Sequence, residues 1–154
     1  MLIPGKEYSM DTKRLGNIGE AYALAKLVEM GIPVYQQFGD NEPADYIILV
    51  DNIPLKVQVK TSETYDGDKT IFDLTSSTMH RKNGVKHKYS KEEVDTFLCY
   101  DVKTKELFVV ENTGEMSAIT IRYTKPRNNQ TKGINFYTDY ALCVETLHGI
   151  SLTK

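Results

Sequence analysis

The chain has 154 residues, 40% apolar and 26% charged, with 10 glycines and 5 prolines. That length suits one domain with a sizeable core, and the balance excludes disordered, collagen-like and low-complexity sequence. A net charge of −2 does not by itself announce a polyanion partner. No apolar run reaches the ~18 residues of a membrane span, so no membrane partner is expected. The opening segment MLIPGKEYSMDTKR carries no apolar stretch of the secretory kind. Cys99 and Cys143 lie far apart without a partner pattern and read as free thiols of a reducing, intracellular compartment. One domain over residues 1–154, in the cytoplasm, is the expectation.

Residues 13–30, KRLGNIGEAYALAKLVEM, place Ile18, Ala21, Tyr22, Ala25 and Val28 at helical spacing, and Gly31 followed by Pro33 is a stop signal. PVYQQF is a short strand candidate, and GDNEPA is a polar turn. The continuous apolar run YIILV at 46–50 predicts a strand buried on both faces. LKVQVK at 55–60 alternates, with Leu55, Val57 and Val59 on one side and Lys56, Gln58 and Lys60 on the other. Asp51-Asn52 is a plausible hairpin turn, although Pro54 leaves a longer 51–54 loop open. TIFDL, TFLCYDV, ELFVVE and ITIRY read as further strands, with a turn around Lys103-Thr104-Lys105. Residues 134–147 are compatible with a short helix or mixed structure. The fold class is α/β in the mixed α+β sense: a central mixed sheet of about five strands with the N-terminal helix packed on it.

A two-residue turn brings Asp45 opposite Gln58, and a four-residue loop brings it opposite Lys60. Both registers keep Asp45, Gln58 and Lys60 on one face of adjacent strands. Alternation alone explains the polar side of LKVQVK as a solvated face. A carboxylate at the head of an apolar strand is costly without a partner or a metal, and this draws attention to Asp45.

Charge is also segregated along the chain. Residues 79–91, MHRKNGVKHKYSK, hold five Lys/Arg and no acid, and 122–132, RYTKPRNNQTK, hold four Lys/Arg and no acid. Residues 40–51 hold four acids and no base. The basic windows offer Arg81, Lys82, Lys86 and Lys88, and Arg122, Lys125, Arg127 and Lys132, as phosphate contacts. Arg127, Asn128, Asn129 and Gln130 are side-chain types that make bidentate contacts with base edges, although Asn-Asn is also a turn dipeptide. Tyr89 and Tyr123 stand beside these windows as candidate backbone contacts. His80, His87, His148 and the two cysteines show no zinc-ligand spacing, and there is no nucleophile elbow or phosphate-binding glycine loop.

Asp45, then twelve residues, then Gln58-Val59-Lys60, with Glu20 in the preceding helix, resembles the PD-(D/E)xK nuclease superfamily. The stretches Gly16 to Glu20, Gln58 to Thr61, Tyr89 to Phe97 and Arg127 to Asn135 are similar to its group I intron homing endonucleases and Holliday-junction-resolvase-like members. The resemblance runs over residues 14–140. It implies a restriction-endonuclease-like core and hydrolysis of phosphodiester bonds at a specific double-stranded DNA site, with Mg²⁺ or Mn²⁺ as cofactor. Asp45, the Gln58 amide oxygen, the Val59 carbonyl and Glu20 would hold the metal, and Lys60 would position or activate the attacking water. The departure is Gln58, where the family's usual residue is Glu or Asp; a neutral amide oxygen brings no charge to the ion.

The leading expectation is a homing endonuclease acting as a homo-oligomer, dimer or tetramer, in contact with the nucleoid. A structure-selective junction resolvase is a second enzymatic alternative. A DNA- or RNA-binding module weakened in catalysis by Gln58 is the non-enzymatic one.

Overall fold

The computed structural model describes residues 11–77 and 86–154. In chain order the elements are α1 (Thr12–Glu29), β1 (Val34–Gln36), β2 (Tyr46–Val50), β3 (Ile53–Ser62), β4 (Lys69–Asp73), β5 (Thr75–Ser77) and β6 (Lys86–Lys88). They continue with β7 (Thr96–Asp101), β8 (Leu107–Glu111), β9 (Ala118–Arg122), β10 (Asn135–Phe136), a 3-10 turn (Tyr137–Asp139) and α2 (Val144–Ser151). The five-stranded sheet has the order β1-β2-β3-β7-β8, and its β3–β7 pair is parallel while the other three pairs are antiparallel. A three-stranded sheet β10-β9-β4 and the two-stranded ribbon β5-β6 complete the architecture. No helix among the described residues is long and apolar enough to cross a membrane.

Helix α1 begins where the Asp11 carboxylate accepts the Arg14 N–H at 2.8 Å. It ends at Gly31, whose φ of +76° lets the Ile32 N–H reach back to the Leu27 carbonyl at 3.0 Å. The face it buries is Gly19, Ala23 and Leu27. This corrects the expected stripe: Ala21, Tyr22, Ala25 and Val28 are exposed or half-exposed, and Ile18 is half-buried. The sequence carries two apolar rows, and the sheet takes the one with the smaller residues, because Gly19 and Ala23 allow closer approach.

The β2–β3 hairpin turns on Asp51 and Asn52, whose φ values of +53° and +62° suit a two-residue turn that follows the twist of its strands. Val50 pairs with Ile53 and Tyr46 with Val57, so the shorter register holds. Pro54 faces Leu49, whose N–H goes instead to the Pro33 carbonyl at 3.1 Å; no ladder donor is demanded of the proline.

The central sheet has a different core on each face. On one side Tyr46, Ile48, Val50, Leu55, Val57, Val59, Leu98 and Val109 pack under α1 and α2 with Ala23, Leu27, Leu147 and Ile150. On the other, Phe97, Cys99, Phe108 and Val110 pack against Phe72, Leu74, Ile119 and Ile121 of the second sheet and its flanks. That second sheet covers β7 and β8 and leaves β1 and β2 open. YIILV is therefore not buried on both faces: Tyr46, Ile48 and Val50 are buried, Leu49 is half-buried, and Ile47 remains 39% exposed. Residues 134–147 resolve as mixed structure, from which α2 continues to Ser151. Both cysteines are free, Cys99 in the core and Cys143 half-buried.

Candidate active site

The last paired residues of β2 and β3 are Tyr46 and Val57, which leaves Asp45 just past the ladder and next to Gln58. Its N–H bonds the Val57 carbonyl at 2.8 Å, and its carboxylate takes over where the ladder stops, accepting the Val59 N–H at 2.8 Å. The N–H and C=O of one strand residue leave on the same side, so the Val59 carbonyl also faces this edge. The Asp45 carboxylate thus lies along the edge of the sheet, between its two faces.

Glu20 arrives from the α1 side. Its main-chain carbonyl accepts the Tyr46 hydroxyl at 3.1 Å, and its carboxyl lies near that of Asp45. Burial pushes the Glu20 carboxyl above the ordinary carboxylate range, and the neighbouring Asp45 charge pushes the same way. Burial also raises Asp45, outweighing the Val59 N–H and the nearby Lys60 ammonium. Two partly desolvated carboxyls therefore share a site that favours a proton or a cation between them.

Gln58 and Lys60 belong to the opposite face, beside Phe97 and Cys99 of β7. The Gln58 Oε1 is buried and has no hydrogen-bond partner among the described residues. An acceptor oxygen left unpaired in that position costs about 1–3 kcal/mol, so the site is built to receive something there. Lys60 Nζ donates to the Thr75 main-chain carbonyl at 2.6 Å and lies 5.0 Å from the centre of the Tyr89 ring. Burial lowers the Lys60 ammonium below the ordinary lysine range, against the opposing pull of Asp73 and Asp45. Among the described residues no group of three or more His, Cys, Asp and Glu is placed to hold a metal ion. The oxygens present, two carboxyls, one orphaned amide and the Val59 carbonyl, fit a hard cation that keeps part of its water shell.

The remaining predicted positions are scattered by comparison. Arg81 and Lys82 lie outside the described residues. Lys86 and Lys88 are exposed on β6, paired with Asp73 at 2.7 Å and Glu115 at 3.6 Å. Arg122 is half-buried, and its Nε donates to the Thr124 carbonyl at 3.3 Å. Lys125, Arg127, Asn128, Asn129, Gln130 and Lys132 are all exposed on one loop. Within it Asn129 has φ +54°, the Gln130 N–H donates to Asn128 Oδ1 at 3.2 Å, and Gln130 Nε2 donates to the Lys132 carbonyl at 3.1 Å. Asn128 and Gln130 thus shape a turn, while Arg127 and the lysines project from it into solvent.

Tyr89 is buried against Lys60 and Phe97, and Tyr123 hydrogen-bonds Asp101 at 2.9 Å and Thr104 at 2.8 Å; both serve the core rather than a surface. The Tyr89 to Phe97 motif is organised by buried Asn112, whose amide donates to the carbonyls of Tyr89, Ser90 and Val94. Asp73 and Thr75, which frame Lys60, are not marked as site residues by the sequence. Their only signal is the Asp-x-Thr spacing of a local side-chain turn.

The family model for PD-(D/E)XK endonucleases matches residues 10–143. The chain belongs to that family, and it is a nuclease of the PD-(D/E)XK type. Among solved structures, the bacterial homing endonuclease I-Ssp6803I is similar in fold, with a TM-score of 0.72 and 24% identity over 94% of this chain and 95% of the other. No match is found among curated proteins.

Proposed function

We propose that this nuclease is a divalent-metal-dependent endonuclease that hydrolyses phosphodiester bonds at a defined site in double-stranded DNA, as homing endonucleases do. The observation that carries this reading is the convergence at the open sheet edge: Asp45 at the end of the ladder, Glu20 from the helix side, and the orphaned Gln58 oxygen beside Lys60. A bound Mg²⁺ or Mn²⁺ would supply electrostatic stabilisation of a phosphate that gains charge. Asp45, Glu20, Gln58 and the Val59 carbonyl would hold it. Lys60 offers an ammonium whose proton is held less tightly than in water, suited to orienting a water molecule and to offsetting charge on phosphate oxygen.

Each chain offers one such site, and a duplex has two strands. A homo-oligomer of two or four chains, arranged symmetrically on a near-palindromic target, supplies the second cut and the surface a long site requires. Exposed Lys86, Lys88, Lys125, Arg127 and Lys132 provide the phosphate contacts.

The test is incubation with a random-sequence duplex library in Mg²⁺ or EDTA, with sequencing of the cut ends. Metal-dependent ends that share one motif are the expected result, abolished in Asp45→Ala and Lys60→Ala. Cleavage of four-way junctions alone would replace the site-specific reading with that of a resolvase. Duplex binding with no product in any metal would leave a binding module.

A further inference from the structure

Lys60 does not stand free at the edge of the site. Its Nζ is held at 2.6 Å by the main-chain carbonyl of Thr75, the first residue of β5. That carbonyl is presented by a tight local turn. Asp73 Oδ1 accepts both the Thr75 N–H at 2.9 Å and the Thr75 hydroxyl at 2.5 Å. The other Asp73 oxygen, Oδ2, accepts Lys86 Nζ at 2.7 Å across the β5–β6 ribbon. The Tyr89 ring, 5.0 Å from Nζ, forms a second wall. A continuous polar chain therefore runs from an exposed lysine, through Asp73 and Thr75, to the lysine at the centre of the site.

We propose that Asp73 is a positioning residue for Lys60: its carboxylate folds the Asp73–Thr75 turn that aims the Thr75 carbonyl at the Lys60 ammonium. The inference rests on the nuclease reading for its consequence in cleavage, but not for its geometry. Four rotatable bonds give a lysine ammonium a wide range of positions, and a single fixed acceptor selects one. Fixing a reacting group in place before the substrate arrives is worth orders of magnitude in rate, and small displacements forfeit much of it. Asp73 touches no reacting atom in this arrangement and positions Lys60 through Thr75; the pull of its charge on the Lys60 ammonium is removed alike by alanine and by asparagine. Its bond to Lys86 adds a second consequence: a DNA phosphate that draws Lys86 away leaves the turn bonds to Oδ1 in place.

The experiment compares the parent with Asp73→Asn, Asp73→Ala and Thr75→Val. Asparagine keeps the oxygen that accepts from Thr75; alanine removes it; valine removes the hydroxyl half of the turn. Two quantities are measured. The first is the rate at which an amine-directed N-hydroxysuccinimide ester acylates Lys60 in the metal-free, DNA-free protein at one pH, followed by peptide mass analysis. The second is single-turnover cleavage at saturating duplex, alongside duplex affinity in EDTA. In Asp73→Ala we expect Lys60 to be acylated several-fold faster. Cleavage should fall about tenfold while duplex affinity holds or rises, since Lys86 is released from its ion pair. Asp73→Asn should reverse most of both changes, and Thr75→Val should shift both in the direction of alanine but less far. Parental acylation and cleavage in Asp73→Ala would overturn the proposal, as would an asparagine variant no better than alanine. If the parent cuts no DNA, the nuclease reading fails, and the acylation rates still decide whether Asp73 positions Lys60.

Discussion

Gln58 stands out among the individual residues, because it is neutral where the resemblance places a charged residue, and its oxygen is buried and unpaired among the described residues. Were it only a strand residue, Gln58→Ala would change little beyond about half a kcal/mol of stability. As a ligand, its removal should raise the Mg²⁺ concentration needed for half-maximal cleavage without unfolding the protein. Gln58→Glu should lower that concentration, since an anionic oxygen takes the same place. Single-turnover cleavage against Mg²⁺ for the three proteins reads this out, and overlapping curves for parent and alanine variant would remove Gln58 from the site. Asp73 makes a separate prediction about stability. Partial burial opposes its ionisation, but the bonds from Lys86 and Thr75 prevail and hold its carboxyl at about 2, against an ordinary 3.8. A carboxylate depressed on folding stabilises the native state above its unfolded value, and that contribution disappears as pH falls from 3.8 toward 2. The pair is solvent-exposed, so screening keeps the contribution within about 1 kcal/mol. Asp73→Ala should therefore cost up to about 1 kcal/mol at neutral pH, and urea titrations should show the gap closing below about pH 4.

At the scale of elements, the packing of α1 on β3 decides where Glu20 can reach. A Cβ on Gly19 would stand 1.9 Å from Thr61 Oγ1, with Thr61 Cβ at 3.1 Å and Cγ2 at 3.3 Å, so the helix or the threonine must shift, and the hydroxyl is the main obstacle. Gly19→Ala should push the helix away from the strand and destabilise the fold by about 1–3 kcal/mol despite alanine's better helix propensity. The displacement falls one residue from Glu20, so cleavage should drop further than stability does. Thr61→Ala, combined with Gly19→Ala, should restore both. Denaturant midpoints and cleavage rates of the two single variants and the double variant test this. A Gly19→Ala protein as stable as the parent would mean that the helix has room to move off the strand at little cost.

For the molecule as a whole, two sets of exposed basic groups lie toward the two ends of β4. Lys86 and Lys88 sit on the ribbon beside Thr75, past the end of β4 nearest Lys60. The 125–132 loop follows Arg122, which pairs with Lys69 at the other end of β4. Five strand residues separate the two ends by roughly 13 Å at about 3.3 Å per residue, within the width of a duplex. Removing Lys125, Arg127 and Lys132 together should flatten the log–log salt dependence of duplex affinity by about 0.9 for each phosphate no longer neutralised. The cleavage rate at saturating DNA should be preserved. Arg127→Ala alone should also relax preference at particular base pairs, by about 1–3 kcal/mol. Affinities for cognate and scrambled duplexes across a salt series check both statements. Equal weakening on the two duplexes from Arg127→Ala would reduce that loop to backbone binding.

Much of this was written locally in the chain. The span of α1, the strands β1 to β4 and β7 to β9, the Asp51-Asn52 turn and the facing of Gln58 and Lys60 follow from periodicity and turn chemistry, which depend on near neighbours alone. The placing of Asp45, Gln58 and Lys60 beside one another was legible for the same reason: two of them share one strand, and a two-residue hairpin fixes the third, whereas Glu20 entered only through the family resemblance. Packing decided the rest. Which apolar row of α1 is buried depended on how closely Gly19 can approach Thr61, 42 positions along the chain. Whether YIILV has one covered face or two depended on where a second sheet lands. The partners of Asn128 and Gln130 depended on a loop closing on itself, and the hold of Asp73 and Thr75 on Lys60 depended on β4 and β5 crossing beside β3. Hydrophobic pattern sets which face of an element seeks cover; only the assembled fold determines what covers it, and therefore which polar groups are left facing one another at the sheet edge.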